Sequence, residues 1–289
     1  MFTSILVGLD GSLQAEVALS QAIKIGQRFR ARLVLAHVTP PPGQTGEMAL
    51  GAPWMEFTPG SIPASRVQHE QAARDMLEES AGAGRRAGLE VETIWRQGLV
   101  PDILRALAED VGVVVVGRTG VQGAKDPLGP ETRELIRRCP RPVLVCGTTT
   151  TAMDRVLVAY GGGPASEGAL AFATRFASIT GAHLDVVHVS RDAEAGARAI
   201  ARASGALSLA MVSFDLHSVE GDLEQGIGEA VERFGADTVF AGATKEGEAW
   251  LVPSHTEAIL RATDIPVLVH MPPVPSGART TSHRNSPSG

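Results

Sequence analysis

The stretch ILVGLDGSLQAEVAL, residues 5–19, returns as VLVAYGGGPASEGAL, residues 156–170. Six of the fifteen positions are identical without a gap, at an offset of 151. The same offset lays ARLVLAHV (31–38) on AHLDVVHV (182–189), and RPVLV (141–145) recurs as IPVLV (265–269) at an offset of 124. One unit is therefore written twice, and a repeat of this length sets the architecture. The offset falls by 27 between these anchors, so the first copy is longer. The excess is TPPPGQTGEMALGAPWMEFTPGSIPAS (39–65), rich in Pro and Gly and without a helical period, which reads as a long surface loop.

Each copy alternates strand-like and helix-like segments. Ser4–Leu9 is a continuous apolar run, as in a strand buried on both faces. Ser12 is a candidate N-cap for a helix over Leu13–Gln27. Strands are predicted at Leu33–Val38, Glu90–Arg96, Val113–Val116 and Val143–Cys146, and helices at about Ser65–Ala87, Asp102–Asp110 and Pro130–Arg138. The second copy predicts strands at 155–160, 183–189, 208–219, 237–241 and 266–270, with helices at 165–180, 192–204, 222–234 and 255–263 between them. Such alternation implies an α/β fold of parallel strands joined by right-handed crossovers, with helices on both sheet faces. The copies span 1–148 and 154–272, and the Pro/Ser/Gly-rich segment 273–289 is expected to be disordered.

Of the 289 residues, 44% are hydrophobic but only 4% aromatic, so Val, Leu, Ile and Ala must build the core. A net charge of −6 argues against partners that are nucleic acids or anionic membranes. No apolar run approaches the ~20 residues of a membrane span. The first strand follows the N-terminus with no basic region or cleavage site, so a cytoplasmic location is expected. Cys139 and Cys146 show no CxxC spacing and read as buried packing residues of a reducing compartment. No HxxxH or HExxH spacing exists among the eight His, so no metal site is predicted; His37 and His188 are repeat equivalents inside strands.

Ligands of an open doubly wound sheet bind beyond the carboxyl ends of the strands. Asp10, leaving the first strand, reads either as an acceptor for a ribose hydroxyl or as an Asp turn before the helix. The loop GRTGVQGAKDPLGPET (117–132) follows four valines and feeds a helix N-terminus. Its glycines permit close backbone approach to an anion, although a glycine-rich turn would look the same.

In combination these segments resemble the universal stress protein family in tandem form. The family motif is Gly, two residues, Gly, nine residues, Gly, then Ser or Thr; Gly117, Gly120 and Gly129 match it with one spacer residue deleted. VGLDGS resembles the family's first-strand signature and PRPVLV its closing strand. The resemblance implies two doubly wound parallel five-stranded sheets of order 3-2-1-4-5, related by a pseudo-two-fold, and an adenine-nucleotide ligand, ATP with or without Mg. It assigns the ribose to Asp10, the base to Leu9 and Val38, and the phosphates to the loop at Gly117, Gly120 and Gly129. Arg118, Lys125, Arg133 and Thr132 are candidate helpers near the loop. It also implies that the closing strands RPVLVCG and IPVLVHM pair or pack as an intramolecular pseudo-dimer; a homodimer of such chains is left open.

Two departures bear on that ligand. Pro130 stands at the Ser/Thr position and removes an N–H and a hydroxyl, and Glu131 brings a negative charge to the same helix start. The second copy departs further: Gly161 replaces Asp10, and GATKEGEAWLVPSHTE (242–257) has Lys245 and Pro253 at two glycine positions, with Trp250 between them. That copy is expected to be structural. The leading expectation is a stress-response protein binding ATP in its first half. The rivals are a nucleotide-free interaction protein using Trp54, Met55 and Phe57 of the 39–65 loop, and a slow ATPase with Glu131 or Asp126 as base.

Overall fold

The computed structural model describes residues 1–40, 64–120, 128–243 and 255–270. The tail 273–289 and nearly all of the 39–65 loop lie outside them, as do Lys125, Asp126, Lys245, Trp250, Pro253 and Ser254. The first copy forms β1 (Ser4–Gly8), α1 (Leu13–Phe29), β2 (Arg32–Thr39), α2 (Ala64–Arg86), β3 (Val91–Gln97), α3 (Val100–Ala108), β4 (Val113–Gly117), α4 (Pro130–Arg138) and β5 (Val143–Cys146). The second forms β6 (Arg155–Ala159), α5 (Pro164–Thr180), β7 (His183–Ser190), α6 (Ala193–Leu207), β8 (Phe214–Glu220), α7 (Leu223–Phe234), β9 (Thr238–Gly242), α8 (His255–Ala262) and β10 (Val267–His270).

Local chemistry sets several boundaries. Ser12 caps α1 by accepting from the Ala15 N–H at 3.2 Å. Pro101, Pro130 and Pro164 lie in the first turns of α3, α4 and α5, where no backbone donor is needed. Gly181 ends α5 in the left-handed region at φ 76°. One boundary differs from the sequence expectation. The strand expected from residue 208 begins at Phe214, because α6 runs on to Leu207 and the apolar residues after it turn outward. Leu209 and Met211 are 95% and 99% exposed. Strand structure starts where β7 offers a partner, at Leu184 opposite Phe214.

Each half has parallel strands in the order 3-2-1-4-5, and the halves join into one ten-stranded sheet, β3-β2-β1-β4-β5-β10-β9-β6-β7-β8. The junction is antiparallel, with Val143, Leu144 and Val145 opposite Val269, Leu268 and Val267. Each closing strand alone would be an apolar edge with unpaired amides, and pairing the two removes both edges. The order therefore reads the same from either end of the sheet.

Alternate residues of each strand enter opposite cores, Ile5 and Val7 on one face and Leu6 on the other. Both cores run through the junction. On the first face, Phe29 of α1 packs on Phe176 of α5 with ring centres 5.7 Å apart, and Phe176 meets Phe240 of β9 edge-on at 5.3 Å. Arg28 donates to the carbonyls of Ala152 and Thr180 at 2.8 and 2.7 Å and pairs with Asp154 at 2.9 Å. Gln21 exchanges two hydrogen bonds with the Thr151 backbone. The connection between halves is thus tied to α1. Among the described residues, no helix is long and apolar enough to cross a membrane.

Candidate functional site

The carboxyl ends of β1, β2 and β4 open onto one cleft, completed by α3 and the first turn of α4. Its volume is about 580 Å³, including the part continuous with solvent. One wall is apolar: Leu9, Ala36, Val38, Val100 and Leu104. The opposite side presents Asp10, Thr119, Gly120, Glu131 and Thr132. An apolar slot with convergent polar groups suits a flat base attached to a polar moiety.

Asp10 is exposed and leaves β1 with its carboxylate fixed on one side. Its Oδ1 accepts from the Ser12 N–H at 3.0 Å and the Ser12 hydroxyl at 2.6 Å. The Asp-turn reading of this residue is therefore correct, and the turn aims the other oxygen at the glycine loop. A Cβ on Gly120 would stand 2.7 Å from Asp10 Oδ2, so glycine lets the loop lie against the carboxylate without displacing it. A Cβ on Gly117 would lie 3.0 Å from Gln14 of α1. Gly129 is the N-cap of α4, and its N–H donates to the Arg118 carbonyl at 2.9 Å. Gly129 thus closes the loop from behind, and Gly117 and Gly120 line the cleft.

Two tethers were not legible as site residues. Gln14 Oε1 accepts from both the N–H and the hydroxyl of Thr119, at 2.6 and 3.0 Å, holding the loop onto α1. His37 Nδ1 lies 2.7 Å from the Leu9 carbonyl and fixes the residue before Asp10. His188 makes the equivalent contact with the Tyr160 carbonyl at 2.8 Å. The coincidence of the two His at one repeat offset was the available signal for the second tether.

Of the candidate helpers, Thr132 reaches the cleft, whereas Arg118 and Arg133 turn toward the second half. Arg118 is 5% exposed and turns toward the second half, where its Nη1 lies 3.6 Å from Asp264 Oδ1. Its Nε and Nη2 are buried without hydrogen-bond partners among the described residues, and burial lowers its pKa, the charge of Asp264 opposing that. Arg133 Nε donates to Glu257, also of the second half, at 3.0 Å. The Thr132 hydroxyl lines the cleft and donates to the Gly117 carbonyl at 3.1 Å. Lys125 is outside the described residues. Among the described lining residues there is no Lys or Arg, and the two acids are Asp10 and Glu131. Partial enclosure by the cleft wall, and then the Asp10 charge, raise the Glu131 carboxyl above its usual range.

In the second half, Tyr160 takes the place of Leu9 and is 2% exposed, and Gly161 stands where the first half has Asp10. Arg202 donates to the Gly162 carbonyl at 2.8 Å across this turn. The acidic acceptor at the strand end therefore has no counterpart in this half.

The family model described as the universal stress protein family matches residues 1–147 and again 153–270. A universal stress protein of Mycobacterium tuberculosis is 28% identical over 205 residues, 66% of this chain and 65% of its own length, so the chain spans just under two thirds of that relative. A universal stress protein of Bacillus subtilis is 27% identical over 149 residues, which is 50% of this chain but 99% of that protein. The crystal structure of a universal stress protein from Archaeoglobus fulgidus superposes with a TM-score of 0.75 at 20% identity, covering 93% of this chain and 96% of its own. That likeness establishes the fold.

Proposed function

The chain belongs to the universal stress protein family, whose unit it carries twice, and on that premise we propose that it is a stress-response protein whose first half binds ATP while its second half serves as a structural partner. One observation supports the ligand above the others: Asp10 and the glycine loop meet in one cleft, with Gly120 lying against the Asp10 carboxylate. The base occupies the apolar side between Leu9 and Val38. Asp10 accepts from the ribose hydroxyls. The Gly120 backbone and the first turn of α4 receive the phosphates, since the free N–H groups of a helix start favour an anion, the N–H groups of Arg118 and Thr119 being held by Cys146 and Gln14. The cleft fits this group at the base and ribose and fits it less well at the phosphates, where Pro130 offers no donor and Glu131 adds negative charge. A bound Mg would offset that charge.

Titration calorimetry of the full chain with MgATP, beside Asp10→Ala, tests the proposal. Binding by the wild type that weakens at least tenfold in the variant supports it. Absence of binding at millimolar ATP overturns it, and unchanged binding by the variant places the nucleotide elsewhere. A second reading, a nucleotide-free interaction protein, is favoured by one observation, the absence of cations among the described lining residues. The first outcome excludes it.

A further inference from the structure

The outer strands of the second half carry a cluster that the nucleotide reading does not use. The parallel registers place Arg155 beside His183, and Asp185 beside Asp215. Residues two apart on a strand share a face, so His183 joins Asp185 and His217 joins Asp215. His183 Nε2 lies 3.3 Å from Asp215 Oδ2 and 3.7 Å from Asp185 Oδ1. One donor atom from each of these three residues lies within 4.8 Å of the others. Asp185 is 0% exposed. Its Oδ1 accepts from His217 Nε2 at 3.0 Å and from Arg155 Nη2 at 3.4 Å. Its Oδ2 lies 2.9 Å from Arg155 Nε but too far off line for a hydrogen bond.

The first half is an internal control on whether the fold needs this cluster. Leu33 pairs with Val91 as Leu184 pairs with Phe214, so Val34 and Ile94 occupy the positions of Asp185 and His217. Both first-half residues belong to or pack on the apolar core. The same sheet position is therefore satisfied by valine, and the Asp185 carboxylate is a charge that the fold does not require, held in place by Arg155 and His217. A second observation concerns the imidazole. His183 Nδ1 is held by the Ser213 hydroxyl at 2.8 Å, which turns Nε2 toward the two carboxylates. That nitrogen is buried and has no hydrogen-bond partner among the described residues. Metal-ligating His residues are oriented in this way, through a bond made by the other ring nitrogen.

We propose that His183, Asp185 and Asp215 form a site for one divalent transition-metal ion, namely zinc. Tetrahedral ligands about 2.0–2.2 Å from zinc stand roughly 3.3–3.6 Å apart, close to the separations around His183 Nε2. Asp215 has its side chain 63% exposed, so the ion enters from that side and water completes its coordination. His217, stacked on Phe234 at 3.9 Å, positions Asp185. An imidazole with two carboxylates favours zinc over magnesium. The cluster lies toward the amino ends of β7 and β8, beside the edge of the sheet that β8 forms and several strands away from the nucleotide cleft.

Chelator-treated full-length protein is titrated calorimetrically with zinc chloride and, separately, magnesium chloride, and its bound metal is counted by elemental analysis. The expected result is one zinc per chain with a dissociation constant of about 10 µM or below, and no uptake of magnesium at the same concentration. Asp215→Asn and His183→Gln each weaken zinc at least tenfold, and Ser213→Ala weakens it about tenfold. Asp215 is at the surface, so its variant keeps the fold, checked by circular dichroism, and decides the matter if His183→Gln does not fold. No zinc uptake, equal uptake of magnesium, or less than a tenfold loss in Asp215→Asn overturns the proposal.

Discussion

Replacing Gly147 with alanine is expected to loosen the junction between the two halves. Gly147 is buried and follows β5 directly, opposite the turn that leads into β10. A Cβ built there would lie 1.9 Å from the Asp264 carbonyl oxygen and 2.9 Å from its carbon. Both atoms are backbone, so no side-chain rotation relieves the overlap. Reaching ordinary contact requires roughly 1.5 Å of displacement, which must come from the Asp264 turn or from the end of β5. Either shift disturbs the Val145–Val267 pairing and lengthens the Arg118–Asp264 ion pair, already 3.6 Å. Overpacking of this kind costs about 1–3 kcal/mol, occasionally more, and the backbone contact puts Gly147→Ala near 3 kcal/mol. At about 2–4 °C per kcal/mol for chains of this order of size, the melting temperature falls by about 6–12 °C. Gly205 is the matched control. It is exposed within α6 with nothing within 4 Å of a built Cβ, and alanine there stabilises by about 0.5–1 kcal/mol. Urea denaturation and calorimetry of both variants make the comparison. If Gly147→Ala matches the wild type within about 0.5 kcal/mol, the edge-to-edge junction is not packed as described.

Other expectations follow from the same geometry. Glu131→Gln removes a carboxyl whose pKa is raised in the folded chain, so its contribution to stability is fully present below about pH 4.5 and is lost as pH rises through the raised value. The variant therefore gains stability relative to the wild type over that rise, as read from urea midpoints between pH 4 and 8; a constant difference refutes the assignment. Removing that charge also tightens ATP binding, by about fivefold for one charge near solvent, in a calorimetric titration. Phe176→Ala, a fully buried ring in the aromatic cluster shared by both halves, costs about 3–5 kcal/mol in denaturation. The two thiols are closed to reagent: burial raises Cys139 and pushes Cys146 up to about 12. A disulfide dye at pH 8 labels them only at the rate of unfolding, and rapid labelling of the native chain contradicts their burial.

The sequence by itself determined the α/β alternation, because strand and helix periods are local. Pro130–Arg138 and Val143–Cys146 appear in the structure with the limits their composition predicts. It also identified the repeat, and through it the family. Repetition further made Asp10 and the glycine loop stand out, since Gly161 and the second loop lack the same features. What it left open depended on contacts between distant segments. Arg118 lies in the glycine loop by sequence, yet its side chain points at Asp264, because β5 and β10 pair and bring the second half against it. Gln14 and Thr119 are 105 positions apart, and only the packing of α1 on β4 makes them one tether. The His183, Asp185 and Asp215 cluster has no motif spacing, because its members come from adjacent strands separated by a helix. A period along the chain tells which face a residue takes, and strand register decides which side chain stands beside it.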